Sequence, residues 1–224
     1  MRIHIITSPS SGVISFNHQH LLTGTIHKWI GPNNLHDMIS LYSFSNLGGG
    51  SSTRGGLTFE NGATFYITCW NAEYSRRLVK GIQMQPEMFG GLIVKEIVLE
   101  ETPDLSSRNH FRLGSPIFIG KKGADHRKEY IYYTSPEAAE LMKTTLETKM
   151  REAGLPDDNT LSIRFDQDYP KKKVRKIDYI KGKEAISIKA NWCPVIIEGT
   201  NITKQFAWSV GVGGSTGIGF GAIK

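Results

Sequence analysis

The order in which apolar side chains change their spacing along the first hundred residues constrains this chain most strongly. Residues 1–7 alternate as a strand. Residues 18–30 then carry apolar side chains at helical spacing, with Asn17 as N-cap and Gly31-Pro32 as a stop. Residues 39–47 and 62–70 alternate again and are expected to pair across a Gly/Ser-rich loop, 48–56, that carries Arg54. Asn71 caps a second helix that runs through Arg76 and Leu78 to about Lys80, with Gly81 at its end, and residues 92–100 close the unit as a strand. Strand, helix, strand, strand, helix, strand is the βαββαβ order of a ferredoxin-like fold.

The second half echoes this order less regularly. Strands are expected over 116–120 and 130–134, followed by the clearest helix in the chain, with Ser135 as N-cap and Pro136 at its first position. Its apolar positions are Ala138, Leu141, Met142, Leu146 and Met150, before Gly154 and Pro156 stop it. Further strands are expected over 161–165, 174–180, 185–198 and 206–212. The fold class predicted is α+β, with tandem ferredoxin-like (RRM-like) βαββαβ domains over residues 1–105 and 109–224, the second distorted from the ideal. A chain of 224 residues suits two domains of roughly 110 residues each.

Composition excludes several classes. A hydrophobic fraction of 39% is enough for a buried core. No apolar run approaches the ~18 residues needed to cross a bilayer, so no membrane association is expected, and the N-terminal apolar stretch is too short for a signal segment. Cys69 and Cys193 each sit inside an apolar strand-like run without CxxC or Cys/His spacing. They are expected to be two buried thiols in a reducing cytoplasm rather than a zinc site. Lys and Arg outnumber Asp and Glu by 27 to 21, a mild pointer to a polyanionic partner.

Three groups of residues carry chemical potential. At about 100° per residue, Leu22, Ile26, Trp29 and Ile30 form one stripe, whereas His20 and His27 fall about 20° apart on the opposite side, with Gly24 between them. His36 follows in the loop after this helix. Imidazole titrates near ~6.5, so one histidine can accept a proton while another donates one. That suits cleavage of RNA by its own 2′-hydroxyl, with one group deprotonating the nucleophile and the other protonating the leaving 5′-oxygen, each worth ~10²–10⁴-fold. Taken singly, each reads more readily as an ordinary surface histidine near a helix end. His18 and His20, two apart, cannot form a zinc clamp, and no metal site is expected.

The second group is the glycine-dense run from 211 to 221. Its glycines allow positive φ and amides that approach phosphates, while Val212, Ile218, Phe220 and Ile223 favour an ordered loop between strands over a flexible tail. A dinucleotide loop is rejected because too few residues remain to form the following helix, and a P-loop lacks its Lys-Ser/Thr. No cofactor is expected. The third group is Lys171, Lys172, Lys173, Arg175 and Lys176, flanked by Tyr169 and Tyr179. It suits either a solvated hairpin tip or an RNA groove that combines charge with stacking, to which Lys121, Lys122, Arg127 and Lys128 add.

Together these features resemble the CRISPR-associated endoribonucleases that process precursor CRISPR RNA, within the RAMP superfamily. The C-terminal run matches the family's G-Φ-G, five residues, G-Φ-G signature as Gly211-Val212-Gly213 and Gly219-Phe220-Gly221. The stretch from Phe16 to His27 resembles the family's first helix, and Leu35-His36-Asp37 precedes the next strand as it does there. The resemblance implies metal-independent cleavage of CRISPR repeat RNA, leaving 2′,3′-cyclic phosphate and 5′-hydroxyl ends. It implies His36 as a catalytic residue, with His27 where family members often carry a tyrosine. Ser40 stands where many members carry a lysine, leaving Lys28 and Arg54 as candidate cations and His20 as a further auxiliary. Gly211, Gly213, Gly219 and Gly221, with the basic cluster, would contact RNA. The partners implied are precursor CRISPR RNA and a CRISPR effector complex, and homodimers also occur in such families. The rival reading is a non-cleaving RNA-binding subunit of an effector complex. A small-molecule enzyme is disfavoured for want of a cofactor motif or carboxylate constellation.

Overall fold

Alternation in β1 (Arg2–Thr7) buries Ile3 and Ile5 completely on one side and turns Arg2 and His4 to the other. The computed structural model to which this strand belongs describes residues 1–32, 39–122, 128–181 and 184–224. A short β2 (Ile14–Ser15) leads to α1 (Gln19–Ile30), whose Leu22, Ile26, Trp29 and Ile30 are buried as the expected stripe. His18 rather than Asn17 holds the N-cap position, because the Asn17 side chain instead accepts from the Asp178 amide of a later hairpin at 3.4 Å. Then come β3 (Tyr42–Phe44), β4 (Ser51–Thr53), β5 (Gly56–Thr58), β6 (Thr64–Cys69), α2 (Ala72–Met84) and β7 (Val94–Glu100). The main sheet has the antiparallel order β3-β6-β1-β7, with α1 and α2 packed together over it.

Two local expectations change. The 48–56 segment is not an open loop, since β4 and β5 form a hairpin that pairs with β2. Helix α2 passes through Gly81 to Met84, because Gly81 marks a helix crossing and not a cap: a Cβ there would lie 2.0 Å from the Trp29 carbonyl oxygen of α1.

The second half contains β8 (His110–Phe111), β9 (Gly120–Lys122), β10 (Lys128–Tyr130), α3 (Ala138–Glu152), β11 (Ser162–Phe165), β12 (Lys173–Lys181), β13 (Glu184–Trp192), β14 (Val195–Glu198) and α4 (Asn201–Val210). Its sheet has the order β11-β14-β8, and residues 222–224 extend it beyond β8, where Arg112 and Lys224 exchange backbone hydrogen bonds of 2.9 and 2.8 Å. This repeats the strand order of the first half, with β9–β10 and β12–β13 added as hairpins. The fold is thus the tandem ferredoxin-like architecture expected.

Several second-half boundaries differ. Residues 206–212 are not a strand: α4 runs to Val210, capped by Thr200, whose hydroxyl accepts from the Thr203 amide. Phe206, Ala207, Trp208 and Val210 are all buried, so the helical period that exposure would have marked is missing from the sequence. The expected 185–198 strand breaks at Cys193-Pro194, where proline cannot donate to a ladder. Strands β9 and β10 lie later and earlier, respectively, than the segments expected. Helix α3 starts at Ala138, two residues beyond the expected Pro136, after a turn in which the Ala138 amide donates to Ser135 O. Both cysteines are free and buried, and burial pushes their thiols up to about 12 for Cys69 and about 11 for Cys193. None of the described helices is long and apolar enough to cross a membrane.

The halves meet on the sheet face opposite α1 and α2. Register places Arg2, Thr68 and Ser43 in one row across β1, β6 and β3, against α4 and the C-terminal segment. The Arg2 guanidinium lies 4.0 Å from the Tyr66 ring centroid and 3.7 Å from that of Trp208. It donates to Thr68 Oγ1 (3.0 Å), Trp208 O (3.3 Å) and Ile223 O (2.7 Å). Tyr66 Oη also donates to Ile223 O, and Ser43 Oγ to Ser209 O. Burial lowers the Arg2 pKa to about 10, so it stays charged at neutral pH. Arg2→Met would strand the Trp208 carbonyl, leave Ile223 O to Tyr66 alone and remove both cation–π contacts. We expect a loss of about 2–4 kcal/mol in urea unfolding, and an unchanged midpoint would remove Arg2 from this role.

Candidate active site

The apolar stripe of α1 faces the first sheet, and the opposite side, which carries half-buried His27 in the last turn, packs towards the glycine run and β12. There Tyr42 Oη of β3 lies 3.3 Å from His27 Nε2 and 2.9 Å from Gly217 O in the glycine run. A phenol has one proton, and the shorter contact to a carbonyl claims it. The contact with His27 is then satisfied when Nε2 carries a hydrogen and donates to Tyr42 Oη, which makes Nδ1 the basic nitrogen of the neutral ring. Burial pushes the Tyr42 phenol well above its ordinary range, so it stays protonated and orients the imidazole instead of accepting a proton itself.

The glycine run is clamped onto the same helix. Gln19 Nε2 of α1 donates to Gly219 O at 3.0 Å, and a Cβ on Gly217 would lie 2.4 Å from Ser40 Oγ and 2.9 Å from Tyr42 Oη. Glycine at 217 is therefore what lets Tyr42 and Ser40 approach the loop. The run connects α4 to the C-terminal segment, not two strands as expected. Gly211, Gly213 and Gly221 are buried with positive φ, and the amides of Gly211, Gly214 and Gly221 donate to Ala207 O, Phe118 O and Pro116 O. The least buried part of the run is Gly214, Ser215 and Ile218.

The remaining candidates are distributed around this centre. His36 lies outside the described residues. His20 is half-buried, edge-on to Tyr179 of β12 with ring centroids 6.2 Å apart. Lys28 points elsewhere, donating to Glu87 O, and Arg54 is exposed in the turn between β4 and β5. In the basic cluster, Lys172 donates to Gln167 O at 2.8 Å, Lys176 lies 3.9 Å from Asp178, and the Arg175 guanidinium sits 4.5 Å from the Trp192 ring centroid.

A cleft of about 760 Å³ separates the two halves beside Arg2, with His4, Arg108, Trp192 and Lys224 in its wall. A second recess of about 400 Å³, lined by Arg112, Tyr169 and Lys171, shares Trp192 and Lys224 with it. A third, bearing His18, Arg175 and Lys176, shares Asn46 and Leu47 with the main cleft and so extends it towards the start of α1. The sequence singled out Lys171, Arg175 and Lys176 but missed Arg108, Arg112, Trp192, Lys224 and Tyr42. The four cleft residues are scattered along the chain and meet only because the C-terminal segment pairs with β8. For Tyr42, the strand assignment was the available signal, since its neighbours on the sheet decide what its hydroxyl meets.

Residues 99–224 match the family model for CRISPR associated protein Cas6, C-terminal. Among solved structures, a CRISPR associated protein Cas6 is similar at 20% identity and TM-score 0.81, covering 100% of this chain and 98% of that one. The product of a Cas6-related gene from Pyrococcus furiosus gives 22% identity and TM-score 0.82, over 100% and 97% of the two chains. A RAMP protein binding different RNA substrates gives 20% identity and TM-score 0.82, over 100% and 98%. Comparison with curated proteins by sequence gives no match. With more than half of its length matched by the family model, this chain belongs to the CRISPR-associated Cas6 family.

Proposed function

We propose that this protein is an endoribonuclease that cuts CRISPR repeat RNA by attack of the RNA's own 2′-hydroxyl, leaving 2′,3′-cyclic phosphate and 5′-hydroxyl ends. The observation that carries the reading is the His27–Tyr42 pair, oriented by Gly217 where the glycine run meets α1. Family membership supports RNA processing or binding as the broader class. His27 is proposed to take the 2′-hydroxyl proton or, once protonated, to return one to the leaving 5′-oxygen; its Nδ1 is screened from solvent in the free protein, so RNA binding must open the ring to the substrate. His36 is proposed as its complement on the basis of its place after α1, and Tyr42 as a positioning residue. No metal is required by this proton traffic, since both transfers use imidazole nitrogens.

RNA would lie along the cleft between the halves. Arg108, Arg112, Lys171 and Lys224 supply phosphate-directed charge there, and Trp192 supplies a stacking face backed by Arg175. The glycine run would shape the loop and offer RNA its outer edge around Gly214 and Ser215. His20, Lys28 and Arg54 remain candidate auxiliaries at the periphery.

Two measurements test this reading. In single-turnover assays, His27→Ala and His36→Ala should each slow cleavage by ~10² or more with repeat binding nearly intact; cleavage at the wild-type rate would strike that histidine from the mechanism. Trp192→Leu should weaken repeat binding by about 1–3 kcal/mol, read by anisotropy on protein with an unchanged melting profile, because it removes a stacked base partner. Unaltered affinity would place the RNA elsewhere.

A further inference from the structure

Lys149 of α3 is only 4% exposed, yet among the described residues no acidic side chain accompanies its amine. Nζ donates to Val210 O at the end of α4 (3.3 Å) and to Thr216 Oγ1 in the glycine run (3.1 Å). The Thr216 hydroxyl donates its own hydrogen bond to Ser40 O (3.5 Å). Among the described residues, the third N–H of Lys149 has no acceptor. An ammonium so placed is costly to bury, and an apolar side chain would fill the same space without that penalty.

The amine borders a recess of about 370 Å³ between α3 and the glycine run. Ser40 and Ser215 both line it, and their hydroxyls make no hydrogen bond among the described residues. Ser215 is also the only described non-glycine residue with positive φ, at 59°, a backbone conformation that costs free energy and that sites of function tend to retain. Across the thin wall formed by Gly217 stands Tyr42, the partner of His27. A buried cation with a spare donor, two uncommitted hydroxyls and a held backbone together make an anion-binding geometry.

We propose that this recess is a phosphate subsite for the RNA backbone, in which Lys149, Ser40 and Ser215 hold one phosphate beside the His27–Tyr42 pair. The inference rests on the reading of the protein as one that binds repeat RNA. It also carries a pH signature. Burial lowers the Lys149 pKa to about 7, so the amine of the free protein is largely neutral above that pH, and a bound phosphate favours the ammonium. Among the described residues, no other ionisable side chain lines the recess: α3 adds Leu141 and threonines, the glycine run Gly214, Ser215 and Thr216, and the segment before β3 Ile39 and Ser40. Binding therefore takes up a proton at Lys149, and affinity falls as pH rises above about 7.

The test compares wild-type protein with Lys149→Met for affinity towards repeat RNA, between pH 7.5 and 9 and across a salt series. Wild type should lose about tenfold more affinity than the variant over that pH range. Its plot of log affinity against log salt should be steeper by roughly 0.7, the contribution of one phosphate on a single strand. Should Lys149→Met fail to fold, the Ser40→Ala/Ser215→Ala double variant leaves α3 intact and should bind several-fold more weakly. Identical pH and salt dependence in Lys149→Met, or wild-type affinity in the double variant, would overturn the subsite and leave Lys149 as a tie between α3 and α4. Wild-type protein that binds no repeat RNA would sink the RNA reading and the subsite with it, whereas binding indifferent to these residues sinks the subsite alone.

Discussion

The arrangement of the molecule depends on a charged side chain at its second residue. Arg2 sits between the rings of Tyr66 and Trp208 and donates to carbonyls at the end of α4 and in the C-terminal segment. Its hydrogen-bond partners are neutral, so its desolvation is offset mainly by hydrogen bonds and ring faces, with a longer-range attraction from Glu100 on the neighbouring strand. This contact closes the first sheet's second face, which in an isolated ferredoxin-like domain would be open. It also fixes where the C-terminal segment runs, and hence where the glycine run meets α1.

That meeting creates the candidate active site. Neither half contains it alone, because His27 comes from α1, Tyr42 from β3, and the carbonyl that takes the Tyr42 proton from Gly217. A protonated phenol can orient an imidazole by meeting one of its ring nitrogens. The same geometry explains one requirement for glycine: at 217 a side chain would collide with Ser40 and Tyr42. At 221 the demand is internal, since a Cβ there would lie 2.0 Å from Val212 O, so dense glycine serves close backbone packing as much as access to a ligand.

Much of the architecture was legible in the residues. The apolar spacing of β1, β6 and β7 and the α1 stripe were sufficient for the first half, because one side of each strand is apolar against the helices even where polar residues such as Arg2 and Thr68 are buried on the other. Helix α4 was misread as a strand for the opposite reason, being buried nearly all round. The hairpin β4–β5 was hidden by its serines and glycines, whose pairing is local and carries no apolar pattern. Within the site, the histidine face of α1 followed from helical geometry, whereas the Tyr42–Gly217 contact spans 175 residues and depends on how two domains dock. The Lys149 recess was unreadable for the same reason, since a lysine near a helix end ordinarily signals solvent.

The central claim is that imidazole-driven 2′-hydroxyl attack, without metal, cuts the repeat. The most direct measurement incubates the purified protein with repeat RNA in EDTA, alongside the same RNA carrying a single 2′-deoxy nucleotide at the mapped cut. Cleavage of the first to a 2′,3′-cyclic phosphate, with the second bound but intact, is the predicted result. Tight binding with neither RNA cut would contradict the account and make the protein an RNA-binding subunit that does not cleave.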